Sequence, residues 1–192
     1  MTKHAPAGDD LERPDLSSDS AGEILTRLYD AHARSLHRYL ARRLDTASAD
    51  DLVGETFLTA WGQRHRYDPA RAPARAWLFG IATNLARRHS RTEARSLRAV
   101  VRDGMRPTGQ AGPDVVAADR ADADSQFKLI AGAIARLRHQ ERDVLLLVAW
   151  ADLTPTEAAA ALDIHVQTAR TRLHRARTVL RRQLRIEDNE HA

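Results

Sequence analysis

The chain contains no cysteine, which excludes disulfides and thiolate metal sites and fits a cytoplasmic protein. Aromatic residues are only 5% of the 192, yet 43% of residues are hydrophobic, enough for the core of one domain or two small ones. No apolar run approaches a membrane span, and the N-terminus lacks the basic-then-apolar pattern of a signal peptide, so a soluble chain without membrane insertion is expected. No segment alternates with period two, so strands are not expected. A glycine-rich phosphate loop and a nucleophile elbow are also missing. The nine histidines are scattered, and His32 and His37 stand five apart, off the i, i+4 spacing that a helical metal site prefers. No catalytic residue, metal or cofactor is therefore expected.

Lysine is scarce as well: nearly all of the positive charge is arginine, which forks onto phosphates and guanine edges. The balance of 30 basic to 26 acidic side chains looks mild, but its distribution is not. Acid gathers in residues 9–23 and again in 114–124, while arginine gathers in 87–106 and 170–185. Two separated basic patches imply two contacts with a polyanion, because phosphate neutralisation supplies most sequence-independent affinity.

The organisation reads as all-α, with two small helical domains joined by a flexible linker. Residues 1–22 are acidic and aperiodic, expected to be a disordered leader. The first domain, 23–98, holds a helix over about 24–44, a second from Ser48 to about Gln63, a loop over 65–71, and a long helix from Pro73 to about Leu97. An acidic linker follows over 99–124, with Gly104, Pro107, Gly109, Gly112 and Pro113. A second helical domain covers 125–186, and 187–192 form a tail.

Residues 151–185 are the most informative stretch. Thr154-Pro155-Thr156-Glu157 is a capping box with proline at the first helical position. The short helix ends near Leu162, Asp163 occupies the turn, and Val166, Ala169, Leu173, Ala176, Leu180 and Leu184 then form one apolar stripe. Gln167, Thr171, His174, Arg175 and Thr178 lie opposite, flanked by Arg170 and Arg172. An apolar-backed helix with polar readers in front, entered through a short turn, is the layout of a helix-turn-helix seated in a DNA major groove.

The helices of the first domain carry two further signals. In the second, Val53, Phe57, Ala60 and Trp61 make a core face, and Asp51, Gly54, Glu55 and Leu58 fall on the other side. A leucine among acids beside a glycine, which costs a helix about 1 kcal/mol relative to alanine, suits a face covered by a partner protein, and a merely tolerated surface glycine would give the same pattern. In the third, Trp77, Leu78, Ile81 and Leu85 line one side while Phe79 and Ala86 are apolar on the far side, as in a central helix packed twice. Its C-terminal half turns polar, with Asn84, Arg87 and Arg91 on one face and Arg88 alongside. The preceding loop offers His65, Arg66, Tyr67 and Arg71, and this mixture of aromatic and arginine side chains suits unstacked bases and their backbone.

Together, DLVGETFLTAW at 51–61, ARAWLFGIATNLARRH at 74–89 and LTPTEAAAALDIHVQTARTRLHRAR at 153–177 resemble bacterial RNA polymerase sigma factors. The short two-domain form resembles their extracytoplasmic-function group, over about residues 23–186. The resemblance implies a partnership with core RNA polymerase, through the β′ clamp helices and the β flap, and with promoter DNA, duplex at −35 and single-stranded at −10. Asp51, Leu52, Gly54, Glu55 and Leu58 would face the polymerase. His65, Arg66, Tyr67, Asn84, Arg87, Arg88 and Arg91 would handle the −10 element. Gln167, Arg170, Thr171, Arg172, His174 and Arg175 would read −35, with Arg170 and Arg175 able to fork onto guanines. An anti-sigma factor is a further partner common in the family, and the linker would thread the polymerase's RNA-exit region. Three positions depart from the family pattern: Gly54 stands for glutamine, Asp163 for the turn glycine and His165 for serine at the recognition-helix start.

A stand-alone helix-turn-helix regulator, with the first domain serving for dimerisation or sensing, is the competing reading. The second nucleic-acid face on the long helix argues against it.

Overall fold

The computed structural model describes residues 11–44, 46–102, 132–134 and 136–190, leaving aside the side chains of 91–102 and 183–190. Its regular structure among the described residues is helical throughout: α1 (Ala21–Ala41), α2 (Thr46–Gln63), a 3₁₀ turn (Arg64–Arg66), α3 (Ala74–Arg102), α4 (His139–Trp150), α5 (Pro155–Ala161) and α6 (Val166–Glu190).

The helix boundaries follow the sequence pattern with small shifts. α1 starts at Ala21, three residues before Ile24, and buries Leu28, Leu36, Tyr39 and Leu40, leaving Ala31 exposed. α2 starts at Thr46 and buries Leu52, Val53, Thr56, Phe57 and Ala60. The Thr56 hydroxyl is satisfied by donating to the Leu52 carbonyl at 2.6 Å. Trp61, expected in the core, is 44% exposed and lies beneath the Arg64 guanidinium at 4.2 Å. α3 is packed on two sides as its pattern implied, with Leu78, Phe79, Ile81, Leu85 and Ala86 all buried. It runs to Arg102, past the expected linker start at 99; the linker from 103 to 124 lies outside the described residues. α6 likewise runs to Glu190 rather than ending at 186.

The leader departs from expectation. Residues 1–10 lie outside the described residues; within 11–20 most residues are exposed, but Pro14 is buried and Leu16 is only 2% exposed. Polar residues outnumber apolar ones there, while Leu16 and, partly buried against the core, Leu11 supply the apolar contacts.

α4, α5 and α6 close a small core of Leu137, Val144, Leu145, Ala159, Ala169, Leu173 and Ala176. The opposite sides of α4 and α5 present Leu146, Leu147 and Ala158, and the turn between them Leu153, to the core built by α1, α2 and α3. Burying each of those leucines contributes roughly 1.5–3 kcal/mol, so the two helical units are held together by a shared apolar seam. A close backbone approach occurs at Gly80 of α3, where a Cβ would overlap the Ala161 backbone carbonyl of α5.

Candidate nucleic-acid and polymerase interface

The helix-turn-helix is assembled as its local sequence dictates. Thr154 Oγ1 accepts the Glu157 backbone N–H at 3.2 Å, and the Glu157 carboxylate accepts the Thr154 N–H at 2.7 Å, so two orphan donors of α5 are satisfied reciprocally. Asp163 holds the turn at φ 54°, the left-handed conformation that aspartate tolerates in place of glycine. His165 replaces the usual serine cap by accepting the Gln167 N–H on Nδ1 at 3.2 Å. α6 then buries Ala169, Leu173 and Ala176 and exposes Gln167, Arg170, Thr171, His174, Arg175 and Thr178 on its outer face. Arg172 is half-buried at the flank. Beside this face, Arg138, Glu141, His174 and Arg175 border an open cavity of about 530 Å³.

On α2, Asp51, Gly54, Glu55 and Leu58 are exposed, and Leu58 at 75% is the most exposed large hydrophobic residue among those described. Nothing lies within 4 Å of a Cβ built on Gly54, so packing does not demand a glycine there. Leu52 does not share this face. It is buried in the core, because its position one turn before Thr56 points it inward with Val53 and Phe57.

The loop before α3 forms a second cavity of about 500 Å³. Arg66, Tyr67, Arg71, Trp77 and Asn84 line it from the first unit, and Asp163 closes it from the second. His65, Arg66, Asn84 and Arg88 are exposed and Arg87 is half-buried. The side chain of Arg91 lies outside the described residues. Tyr67 is buried rather than displayed: its ring sits 5.0 Å from Trp77 and its hydroxyl donates to the Ala72 carbonyl at 3.1 Å. That burial pushes its pKa up to about 12. Tyr67 is therefore a wall and brace of the cavity, and Arg66 with Asn84 supplies its accessible polar rim.

A buried ionic network joins this site to the second unit. Asp143 of α4 is 1% exposed and accepts from Arg43 Nη2 at 2.7 Å and from Arg87 Nε at 2.6 Å. Arg43 also donates to the Tyr39 hydroxyl at 2.7 Å, which pairs with Thr83 Oγ1 at 2.8 Å. Burial raises the Tyr39 pKa. Arg87 in turn donates to Asn84 Oδ1 at 3.3 Å. Arg71 pairs with Asp163, and Arg75 donates to the Ala151 carbonyl. None of these links was read from the sequence. The available signal was an acid at the head of DVLLLVAW, in register with the apolar face of α4, where a carboxylate must find a cation.

Comparison with known proteins gives three findings. Residues 28–96 match the family described as Sigma-70 region 2, and residues 127–180 match Sigma-70, region 4. The chain is 36% identical over 160 residues to the ECF RNA polymerase sigma factor SigL of Mycobacterium tuberculosis, covering 82% of this chain and 87% of that protein. It is 34% identical over 181 residues to the ECF RNA polymerase sigma factor SigC of the same species, covering 92% and 93%. Among solved structures, CnrH in complex with the cytosolic domain of CnrY superposes with a TM-score of 0.60 at 26% identity, over 86% of this chain and 90% of that one. RpoE in complex with the anti-sigma factor NepR, from Bartonella quintana, shares the fold with a TM-score of 0.60 at 19% identity, over 85% and 98%.

Proposed function

Because the chain belongs to the extracytoplasmic-function group of sigma-70 factors, which direct promoter-specific transcription initiation, we propose that it holds the promoter by a two-point grip built on core RNA polymerase. It is a specificity subunit rather than an enzyme, and it works in the cytoplasm where polymerase and promoter meet. The first unit, 23–98, takes the −10 element, and the second, 125–186, takes −35, with the linker between them following the RNA-exit path.

At −35, α6 enters the major groove with Gln167, Arg170, Thr171, His174 and Arg175 toward base edges and Arg172 at the flank. The observation that carries this role is the clean division of α6 between a buried stripe and an exposed polar, arginine-bearing face. At −10, the cavity between the 65–71 loop and α3 takes an unstacked base, bounded by Arg66, Tyr67 and Asn84 with the exposed His65 nearby in the chain, while Arg87, Arg88 and Arg91 meet the backbone. The polymerase covers Asp51, Gly54, Glu55 and Leu58, and Leu52 shapes that face from beneath.

In the arrangement described here, Arg87 and Arg71 are held by Asp143 and Asp163 of the second unit, carboxylates standing where phosphates would bind. Full engagement of −10 therefore requires the two units to part, which binding to polymerase accomplishes by seating them on separate surfaces. An anti-sigma protein is the natural antagonist, as NepR is the anti-sigma factor bound to RpoE. Run-off transcription with purified core polymerase tests the proposal: the chain confers initiation at defined promoters, and base changes at either element reduce it. Specific duplex binding by the isolated chain, with no effect on core polymerase, would refute it.

A further inference from the structure

The segment ahead of α1 is tied to the loop that walls the −10 cavity. Its anchor is Leu16, buried in the main core beside Pro14. A tight turn follows, in which Asp15 Oδ1 accepts the Ser17 backbone N–H at 2.9 Å and the Ser17 hydroxyl at 2.6 Å. Ser18 Oγ donates to the Asp15 carbonyl at 3.0 Å, and the Ser18 carbonyl accepts the Ala21 N–H at 3.0 Å, which leads the chain into α1. The anchor and turn thus fix the position of the residues just upstream.

Those upstream residues reach across the cavity loop and hold it at two points, within the loop and where it enters α3. The Glu12 carbonyl accepts the N–H of Ala74, the first residue of α3, at 2.8 Å. That N–H belongs to the first turn, where helix donors have no partner within the helix. The Arg13 guanidinium donates to the Pro69 carbonyl. The loop has no regular structure; its other bonds are short-range, Ala70 N–H to Asp68 Oδ1 at 2.9 Å, Arg71 N–H to the Asp68 carbonyl at 3.1 Å and Tyr67 to Ala72, apart from the pairing of the Arg71 side chain with Asp163. Tyr67, Asp68, Arg71 and Ala72 of this loop all border the cavity.

We infer that residues 11–16 form a strap that positions the single-strand-binding loop, with Leu16 as its anchor and Arg13 and the Glu12 carbonyl as its two holding points. Arg13 is a positioning residue in this scheme, acting on DNA through Pro69 and the loop. A loop held in its binding conformation takes up an unstacked base without first being ordered, so the strap strengthens −10 capture. The assignment rests on reading the cavity as the −10 site, but the strap's hold on the loop stands independently of that.

The test uses Arg13→Ala, Arg13→Lys and Leu16→Ala in the full chain. Hydrogen exchange of the free protein reads the loop directly, and Arg13→Ala should speed exchange across residues 67–74 while leaving the thermal midpoint near wild type, because Arg13 is exposed. In holoenzyme, the variant should weaken binding of the non-template −10 strand of a promoter transcribed in run-off by about tenfold, with core polymerase affinity unchanged. Arg13→Lys should restore part of the loss, since an ammonium can still donate to Pro69. Leu16→Ala should give the same two effects together with lower stability. Unchanged loop exchange in Arg13→Ala would overturn the strap, as would equal losses of strand and polymerase affinity. If wild-type holoenzyme failed to bind the strand, the cavity reading would fall, and loop exchange would still decide the strap.

Discussion

Nε of Arg87 donates to Oδ2 of Asp143 at 2.6 Å, so a carboxylate of the second unit occupies an arginine of the first. The same Asp143 also neutralises Arg43, and through it connects to Tyr39 and Thr83. Removing one partner of such a buried set leaves the remaining charges poorly compensated. Asp143→Asn should therefore lower stability by about 2 kcal/mol, equivalent to roughly 4–8 °C in Tm, read by thermal unfolding. Arg87 is freed by the same change, so fluorescence anisotropy should show tighter binding of single-stranded −10 DNA by the isolated chain.

Gly80 allows the two units to approach until backbone meets backbone at Ala161. Gly80→Ala places a methyl group in that contact, where no flexible side chain can yield. The expected outcome is separation of the units without unfolding of either, seen as a larger radius of gyration by small-angle scattering with helical circular dichroism retained. Alanine's better helix propensity, by about 1 kcal/mol, works in favour of α3 itself.

The outer face of α6 should separate base readout from phosphate contact. Arg170→Ala or Arg175→Ala should cost about 1–3 kcal/mol of discrimination at the −35 base that each arginine contacts, with smaller losses on sequences already mismatched there. Transcription from a panel of −35 variants by reconstituted holoenzyme measures this. Neither change should alter stability, because both side chains are exposed.

Leu58 is the corresponding probe of the proposed polymerase face. Leu58→Ala removes an exposed side chain from no intramolecular core, so thermal stability should stay within about 0.5 kcal/mol of wild type. Affinity for core polymerase should fall about tenfold, the effect expected when a desolvated apolar contact is lost at an interface. Surface plasmon resonance on immobilised core polymerase gives the comparison.

The helices and the helix-turn-helix were legible because their signals are local. Thr154, Pro155 and Glu157 announce α5, Asp163 adopts the turn conformation expected of it, and the stripe through Ala169, Leu173 and Ala176 is buried as its spacing implied. The match of the first unit to Sigma-70 region 2 also removes the dimerisation or sensing module of the competing reading. What escaped the sequence depends on long-range pairing. Leu52 and Trp61 exchange places between core and surface because α2 turns its Leu52–Val53 edge inward, and an arginine from the next turn covers Trp61. Tyr67 looks like a stacking platform in sequence, but its position against Trp77 makes it a brace. The bond between Arg87 and Asp143 spans 56 residues, and no periodicity encodes it. The strap was hidden by the polar residues that surround its apolar ones.

The two-point grip is tested most directly by permanganate footprinting of a promoter with core polymerase, in the presence and absence of the chain. The account predicts reactive, unstacked thymines around −10 of a duplex promoter only when both proteins are present, with that reactivity reduced in Arg175→Ala. Protection of a symmetric duplex site by the chain alone, with no opening when polymerase is added, would contradict it.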